Sequence, residues 1–500
     1  MTQELENKTY ATAFKFKSVV LYKVGKDYAK PEITLHNGQQ GMLVSFQYNE
    51  DIMWPSYGGT MVIVDNAQNV ISDMPIQGYE RVVVEVDDLT GKGRVDSSGN
   101  HNKGVYTYEF RIHSVFNRVA NNGAQVYTLG LISTEGLKNE AIRVNKKLEG
   151  NTSTVVSKIL DEYLKVRSDK IKVEPSATSI KLLPTKKSPY SVIRSLCPRT
   201  ISEKTGVSIG KKNSTSVEDN DSESDVNPQT SEKATGTAGY LFFQTNEAYH
   251  FKSIDNLVDG GEKFDGDPVR NLGENNEFVY SPAKVGRESL NRIQEVLFES
   301  QIDMFKRLRQ GAYSNICCYF NINTGEYEER LYKVSDNWDD MAHLGSQTGI
   351  GVGQRDLSKY PSRVMSTVIN HENFYNDPDI ASNEDKHGGD GKNSFPDFQK
   401  HYLSQGIARA GILFNQQLTI SLTGHLELCA GDKIEIKIPD KKTEKDKEPW
   451  DPEYSGTYLI KNLNHQFITG STPKVYTVLE LVRDSQGIKY RPIEPPKTEE

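Results

Sequence analysis

Apolar and polar side chains alternate with a period of two through much of the first third of the chain, the pattern of a strand with one buried face. In Val105–Val115, Tyr106, Tyr108, Phe110 and Ile112 share one face, and Thr107, Glu109, Arg111 and His113 share the other. Val44, Phe46 and Tyr48 alternate with Ser45 and Gln47, and Val82, Val84 and Val86 alternate with Val83 and Glu85. Between them Met61–Val64 is a continuous apolar run, which reads as a more buried strand. Turn residues punctuate these runs at Asn37, Gly38, Gly58, Gly59, Asn66, Asp96, Gly99 and Asn121–Gly123. Residues from about 15 to 135 are therefore expected to form an antiparallel sheet or barrel, with a loop at about 88–104.

The period then changes. Val155, Val156, Ile159, Leu160, Tyr163 and Leu164 fall at helical spacing, with Thr152 or Ser153 in place to cap. Ser188 and Pro189 open a second, short helix through Ile193 and Leu196 that Pro198 interrupts. Residues 201–238 are rich in Ser, Thr, Asn, Asp and Gly and are expected to be a mobile surface insertion. Strands are expected at Gly239–Phe243 and His250–Phe251. A longer helix is expected over about Glu288–Arg309, with Leu290, Ile293, Leu297, Ile302, Phe305 and Leu308 inward and Gly311 ending it. Period two resumes in Cys317–Tyr319 and Glu326–Lys333, which flank the turn Asn321–Gly325. After a polar excursion from about 336 to 400 it returns in Leu418–Leu422, Ile434–Ile438 and Lys474–Val482, with a charged loop at Asp440–Asp451. The expected class is α+β, mainly β: one barrel over 1–149, a helix-containing middle domain over 150–310, a second barrel of similar build over 311–487 interrupted by 336–400, and a tail over 488–500.

Sixty Lys and Arg against 68 Asp and Glu give a net charge of −8, the wrong sign for a chain that must neutralise phosphates, so sequence-specific nucleic-acid binding is not expected. No apolar run reaches the length of a membrane span, and MTQELENKTY lacks the basic and apolar regions of a secretion signal, so membrane insertion and export are not expected. Four cysteines, Cys197, Cys317, Cys318 and Cys429, are too few for a disulfide scaffold and fit a reducing compartment. No phosphate loop, Cys-x-x-Cys, His-Glu-x-x-His or Gly-x-Ser-x-Gly occurs. The glycines at 349, 351 and 353 neither follow a buried strand nor open an apolar helix, and carboxylate neighbours such as Asp87 and Asp88 read as solvated faces. Cys197, beside Pro198 on the inner edge of a helix, reads as a small inert hydrophobe. No catalytic residue, cofactor or metal ligand is expected, and the chain is expected not to be an enzyme. Tyrosine is the abundant aromatic, 25 against 18 Phe and 3 Trp, and suits half-buried surfaces that meet another protein.

Several segments, in order, resemble the baseplate central hub proteins of contractile-tailed, myovirus-type phages, relatives of the hub portion of type VI secretion spike proteins. They are Asn49–Asp65 with Met74–Gly78 and Arg81–Asp87; Tyr127–Gly136; Leu183 and Pro184 with Ser188–Leu196; Gly239–Thr245 with Phe251–Leu257; and Gly424, Ala430–Asp432, Ser455–Ile460, His465 and Leu479–Asp484. The resemblance implies two tail-tube-like barrels in one chain, with Trp54, Pro55, Gly58, Gly59, Asp65, Gly78, Gly424, Gly431, Asp432, Gly456 and His465 as their structural motif. It further implies a homotrimer whose six barrels adapt a six-fold tail tube to a three-fold spike, in a virion baseplate assembled in the host cytoplasm. The implied partners are the central spike, the tail tube or its initiator, the tape measure and baseplate wedge proteins, with DNA passing through unbound. A closed ring from two similar barrels per subunit offers nearly equivalent contacts at twice the chain's own symmetry. Acids such as Glu85 or Glu435 facing the passage would repel the genome. The rival readings are a baseplate peptidoglycan hydrolase and a host-binding tail fibre.

Overall fold

The computed structural model describes residues 14–23, 32–38, 41–66, 76–88, 105–121, 124–176, 178–202, 238–259, 277–280, 291–300, 303–321, 325, 327–338, 341–345, 359–369, 394–440, 450–470 and 473–485. Most of the expected insertion over 201–238, most of the loop at 88–104, the glycines at 349–353 and the tail over 488–500 lie outside them; the insertion's described ends, Ile201 and Ala238, are buried and bridged to each other rather than mobile surface.

The first barrel uses β1 (Phe14–Tyr22), β2 (Glu32–His36), β3 (Leu43–Asp51), β4 (Gly58–Asp65), β5 (Arg81–Asp88), β6 (Val105–Asn121) and β7 (Ala124–Ile132). They hydrogen-bond in the order β3-β4-β7-β6-β5-β1-β2, and a bridge from His36 to Gly41 brings β2 back beside the start of β3. Most alternating residues read from the sequence point as expected: Phe46, Tyr48, Val82, Val84, Tyr108, Phe110 and Ile112 are buried, but Val44, expected on the face of Phe46 and Tyr48, is 40% exposed because the bulge between Leu43 and Ser45 turns Leu43 inward instead.

The middle region begins with α1 (Thr134–Ala141), then β8 (Leu148–Asn151), α2 (Thr152–Lys158), β9 (Ile171–Val173), β10 (Ser179–Leu182), α3 (Pro189–Leu196), β11 (Tyr240–Gln244), β12 (Tyr249–Ser253) and α4 (Ile254–Asp259). α2 runs on into a single π turn over Ile159–Tyr163, and Val155, Val156, Ile159, Leu160 and Leu164 are buried as the spacing predicts. Its N-cap is Asn151 rather than Thr152 or Ser153, because the Ser153 amide donates to the Ser176 hydroxyl across the turn.

The second barrel is a closed ring of six: β13 (Glu277–Tyr280), β14 (Arg292–Ser300), β18 (Gln416–Thr423), β21 (Lys474–Arg483), β20 (Gly456–Ile468) and β19 (Lys433–Lys437). Between β14 and β18 the chain leaves to build α5 (Met304–Gln310), β15 (Ser314–Asn321), β16 (Tyr327–Lys333), α6 (Val334–Asn337), β17 (Arg363–Ile369) and α7 (Ser394–Ile412). The hairpin at 317–333 forms as expected, but in a separate sheet ordered β16-β15-β17 rather than in the ring.

The long helix expected over 288–309 is a correction. Residues 292–300 are strand β14, and only Met304–Gln310 are helical. A bulge between Ile293 and Glu295 explains the error: it puts Ile293 and Val296, three apart, on the same inward face, against Leu422 and Ile420, so a strand mimics helical spacing. Leu297 and Phe305, expected inward, are 61% and 77% exposed.

Candidate functional site: the seam between two copies of one barrel

Five strands of each barrel correspond in chain order and in pairing, β3-β4-β7-β6-β5 with β14-β18-β21-β20-β19. The match extends to register. Phe46 faces Met61 and Met61 faces Leu129; Val296 faces Ile420 and Ile420 faces Leu479. Val82 faces Phe110 as Ile434 faces Tyr458. The bulge between Leu43 and Ser45 recurs between Ile293 and Glu295, and that between Ile112 and Ser114 recurs between Ile460 and Asn462. Bulges are fixed features of a strand pair, and two falling at the same rungs mark one folding unit used twice.

The turn entering β5 and its counterpart entering β19 repeat atom for atom. The Tyr79 amide donates to the Ile112 carbonyl at 2.7 Å, and the Ile112 amide donates to Glu80 at 3.0 Å; Gly431 donates to Ile460 at 2.8 Å, and Ile460 donates to Asp432 at 2.9 Å. The acid after each hinge accepts from the amide three residues back, Glu80 from Gln77 and Asp432 from Cys429, both at 2.8 Å. Tyr79 and Gly431 both have positive φ, 74° and 88°.

The two barrels are fused along one ladder. The first half of β20 pairs with β19, and its second half pairs with β3, from Asn462 opposite Asp51 to Ile468 opposite Ser45. Phe467 thereby enters the first barrel's aromatic core, stacked on Phe46 at 5.4 Å. His465 is buried at the seam, its ring parallel to Tyr48 at 6.0 Å and its Nδ1 3.0 Å from the Thr477 hydroxyl. Along the other face run amides: Asn464 donates to Asn49, and Asn462 donates to Asp51 at 3.3 Å. Burial pushes the Asp51 carboxyl up, opposed by the Met53 amide and Lys461.

Glu50, 1% exposed, is the knot of the seam. Its Oε1 accepts from the Tyr48 hydroxyl and from the Asn246 amide at 2.8 Å, and Oε2 accepts from the Ala430 amide at 2.9 Å. One carboxylate so joins the first barrel, the β11–β12 turn and the second barrel. A second knot lies behind β21, where buried Arg409 of α7 donates to Asp484 at 2.9 Å, to Asp255 at 3.1 Å and to the Ala342 carbonyl. His343 Nδ1 lies 2.9 Å from the same Asp484 carboxylate. Burial alone would raise the Asp484 carboxyl; the His343 hydrogen bond and the Arg409 charge outweigh it and hold it well below the usual range.

The residues expected as a barrel motif occupy turns and strand ends. Trp54 lies exposed in the β3–β4 turn and Pro55 is buried beside it. Gly58 and Gly59 open β4, where a Cβ on Gly59 would meet the Gln47 carbonyl at 2.2 Å. Asp65 ends β4 and Gly424 follows β18 at the corresponding rung, with Val475 leaving no room for a Cβ. Gly78 donates its amide to Glu80 at 2.9 Å; Gly431 and Asp432 form the counterpart hinge, and Gly456 starts β20 with φ 127°. Only His465 is in the seam itself. Glu50, Arg409 and Asp484 carry no local signal of their role; the duplicated hinge does, since Glu80-Arg81-Val82-Val83-Val84 and Asp432-Lys433-Ile434-Glu435-Ile436 share acid, base, apolar, any, apolar.

A cleft of about 320 Å³ opens between the middle region and α7, lined mainly by apolar residues with Arg194, Arg363 and Cys197. Burial pushes the Cys197 thiol up to about 12, so it stays protonated. Among the described residues no cluster of three or more His, Cys, Asp or Glu is placed to hold a metal, and no helix is long and apolar enough to cross a membrane.

Fold and seam together define a mainly β protein built from two copies of one barrel joined edge to edge. No family model and no curated protein matches the chain. Solved structures do. A tail protein from Neisseria meningitidis is 11% identical over 94% of this chain and 97% of its own, with a TM-score of 0.43. The 43 kDa tail protein of prophage MuSo2 from Shewanella oneidensis is 8% identical over 93% and 98%, with a TM-score of 0.45. An Escherichia coli component of the type VI secretion system is 10% identical over 90% and 76%, with a TM-score of 0.36. The chain is thus similar to phage tail proteins and to type VI secretion components.

Proposed function

We propose that this chain is a structural baseplate hub of a phage tail, three copies of which form a ring of six barrels that adapts a six-fold tail tube to a three-fold spike. The observation that supports this is the register-for-register duplication of a barrel within a chain that already fuses the two copies side by side in one continuous sheet. A trimer of such chains presents six nearly equivalent units on one face while remaining three-fold overall. In this reading the spike seats on the three-fold side, the tube or its initiator on the six-fold side, and tape measure and wedge proteins beyond them, within a virion tail baseplate assembled in the host cytoplasm. DNA passes through the opening without being bound. The seam's outward row of Ser45, Gln47, Asn49, Asn462, Asn464 and Gln466, with Asp51 at its end, is mostly neutral, and Glu85 is paired to Lys17 at 3.6 Å. The role is structural and needs no catalytic group.

Electron microscopy of the purified full chain tests this. Rings with six lobes around an opening wide enough for duplex DNA are expected. Elongated fibres, or release of sugar or peptide fragments from purified cell walls, would overturn it.

A further inference from the structure

The internal duplication identifies which edges of two neighbouring chains should meet. Within the chain the seam joins β20, by its second half, to β3. The counterpart of β20 is β6, and the counterpart of β3 is β14. We infer that the second half of β6 in one chain pairs antiparallel with β14 of a second copy, repeating between chains the ladder that β20 and β3 make within one. This rests on the ring proposed above and names its closing contact.

Both strands are open where the inference needs them to be. β6 pairs with β5 only from Val105 to Arg111; from there to Asn121 it carries β7 on one side and no other strand among the described residues. β20 is used identically, with β19 against its first half alone. β14 pairs with β13 only at Arg292 and Ile293, leaving the edge opposite β18 without a strand from Gln294 onward among the described residues. Each open edge carries large apolar side chains: Phe116 is 40% and Val119 59% exposed on β6, and Leu297 is 61% and Phe298 44% exposed on β14. At the corresponding places in the finished seam Tyr48, the counterpart of Phe298, is buried, and Asn464 and Gln47, the counterparts of Phe116 and Leu297, are half-buried. Apolar residues gathered on two unpaired strand edges mark surfaces awaiting a partner strand.

Register agrees with this. Carrying over the register of the seam, where Asn464 faces Asn49 and Gln466 faces Gln47, and counting the bulges between Phe116 and Val119 on β6 and between Phe298 and Ser300 on β14, sets Phe116 against Ser300 and Val119 against Leu297. Two exposed apolar side chains, Val119 and Leu297, then meet as direct cross-strand neighbours. The contact is head to tail, β6 of one copy to β14 of the next, so every chain uses both edges and the ring closes when the third chain meets the first.

Paired cysteines test it. Directly opposed residues of an antiparallel pair bring their Cβ atoms within disulfide range. The full chain carrying both Val119→Cys and Leu297→Cys, oxidised and run without reductant, is expected to shift from monomer to a covalent trimer in the majority of the protein, with neither single variant nor the unmodified chain doing so. Phe116→Asp, at an exposed position that leaves the fold's melting temperature unchanged, is expected to weaken the trimer at least tenfold by sedimentation. Trimers by sedimentation that fail to cross-link and tolerate Phe116→Asp would overturn this edge pairing and leave the ring standing. A chain that stays monomeric at every concentration and never cross-links would overturn both, and cross-linked ladders running beyond three would keep the edge pairing but overturn the closed ring.

Discussion

In the first barrel the turn into β5 hinges on Tyr79; in the second the same turn into β19 hinges on Gly431. The backbone bonds are the same, so the difference lies in what surrounds each hinge. Tyr79 stands at the surface with the Arg111 guanidinium 4.8 Å from its ring centre. A Cβ on Gly431 would sit 2.9 Å from the ring of Phe243, because the middle region packs its β11 against that turn. A non-glycine residue at positive φ is strained, and the first barrel accepts the strain where there is room for the side chain while the second cannot. The same asymmetry governs the hairpins. In the first barrel β3 returns to β4 through the short turn Ile52–Tyr57, whereas the corresponding connection in the second opens to admit, among the described residues, three strands and three helices. One copy closes that hairpin directly, and the other carries a separate sheet and helices within it.

The added region must be tied back, and the tie has no counterpart in the first barrel. The rung that Asp484 occupies after β21 is Thr134 after β7, where the neighbouring Ser133 merely caps α1 by accepting from Gly136. Replacing Arg409 with Leu should therefore give the largest effect, about 3–5 kcal/mol lost on urea unfolding, because Asp484 and Asp255 are left facing each other without their cation. Acid should act through the same place. The folded Asp484 carboxyl lies below its unfolded value of about 3.9, so its contribution is intact above that pH and disappears as pH falls toward the folded value. The stability difference between the unmodified chain and Asp484→Asn should accordingly be constant from pH 7 to about 5 and shrink below pH 4; a difference that persists undiminished at pH 2 would show that the carboxylate's charge does not matter.

The hinge comparison predicts a smaller, asymmetric pair of effects. Gly431→Ala should cost about 1–3 kcal/mol, from positive φ and from the collision with Phe243. Tyr79→Gly should stay within about 1 kcal/mol of the unmodified chain, since relief of strain is offset by the lost Arg111 contact and a more flexible unfolded chain. Equal losses at both positions would mean that the two hinges are not the same device.

How much of this could be read in advance depended on whether the determining partner was local. Strands with one dry face announced themselves: Tyr106, Tyr108, Phe110 and Ile112 needed nothing but their own alternation. β14 did not, because its bulge removed the alternation and left a spacing of three between Ile293 and Val296. β20 entered the sequence reading only through Ser455–Ile460 and His465 of the resemblance, and nothing in it says that its first half serves one barrel and its second half the other. Glu50 and Arg409 are single polar residues whose partners lie up to 380 positions away, so their roles follow from closure of the fold and from no motif. The recurring acid and base at Glu80-Arg81 and Asp432-Lys433 are the exception, a long-range relation that a self-comparison of the sequence exposes.

That recurring base is also where the two barrels part most mildly. Arg81 makes a two-pronged pair with Glu109 at 2.8 and 2.9 Å, while its counterpart Lys433 instead donates to the Val258 carbonyl of the middle region at 3.3 Å. Both Arg81 and Glu109 are more than two-fifths exposed, so water and salt screen the pair. A double-mutant cycle on Arg81→Ala and Glu109→Ala should return a coupling of about 0.5 kcal/mol that falls further in high salt. The good geometry then serves to aim side chains on the open face of β5 and β6 rather than to hold the barrel together. A coupling of several kcal/mol would reverse that, and would make the pair a charged tie of the first barrel beside the buried Lys23–Glu80 pair at 3.1 Å.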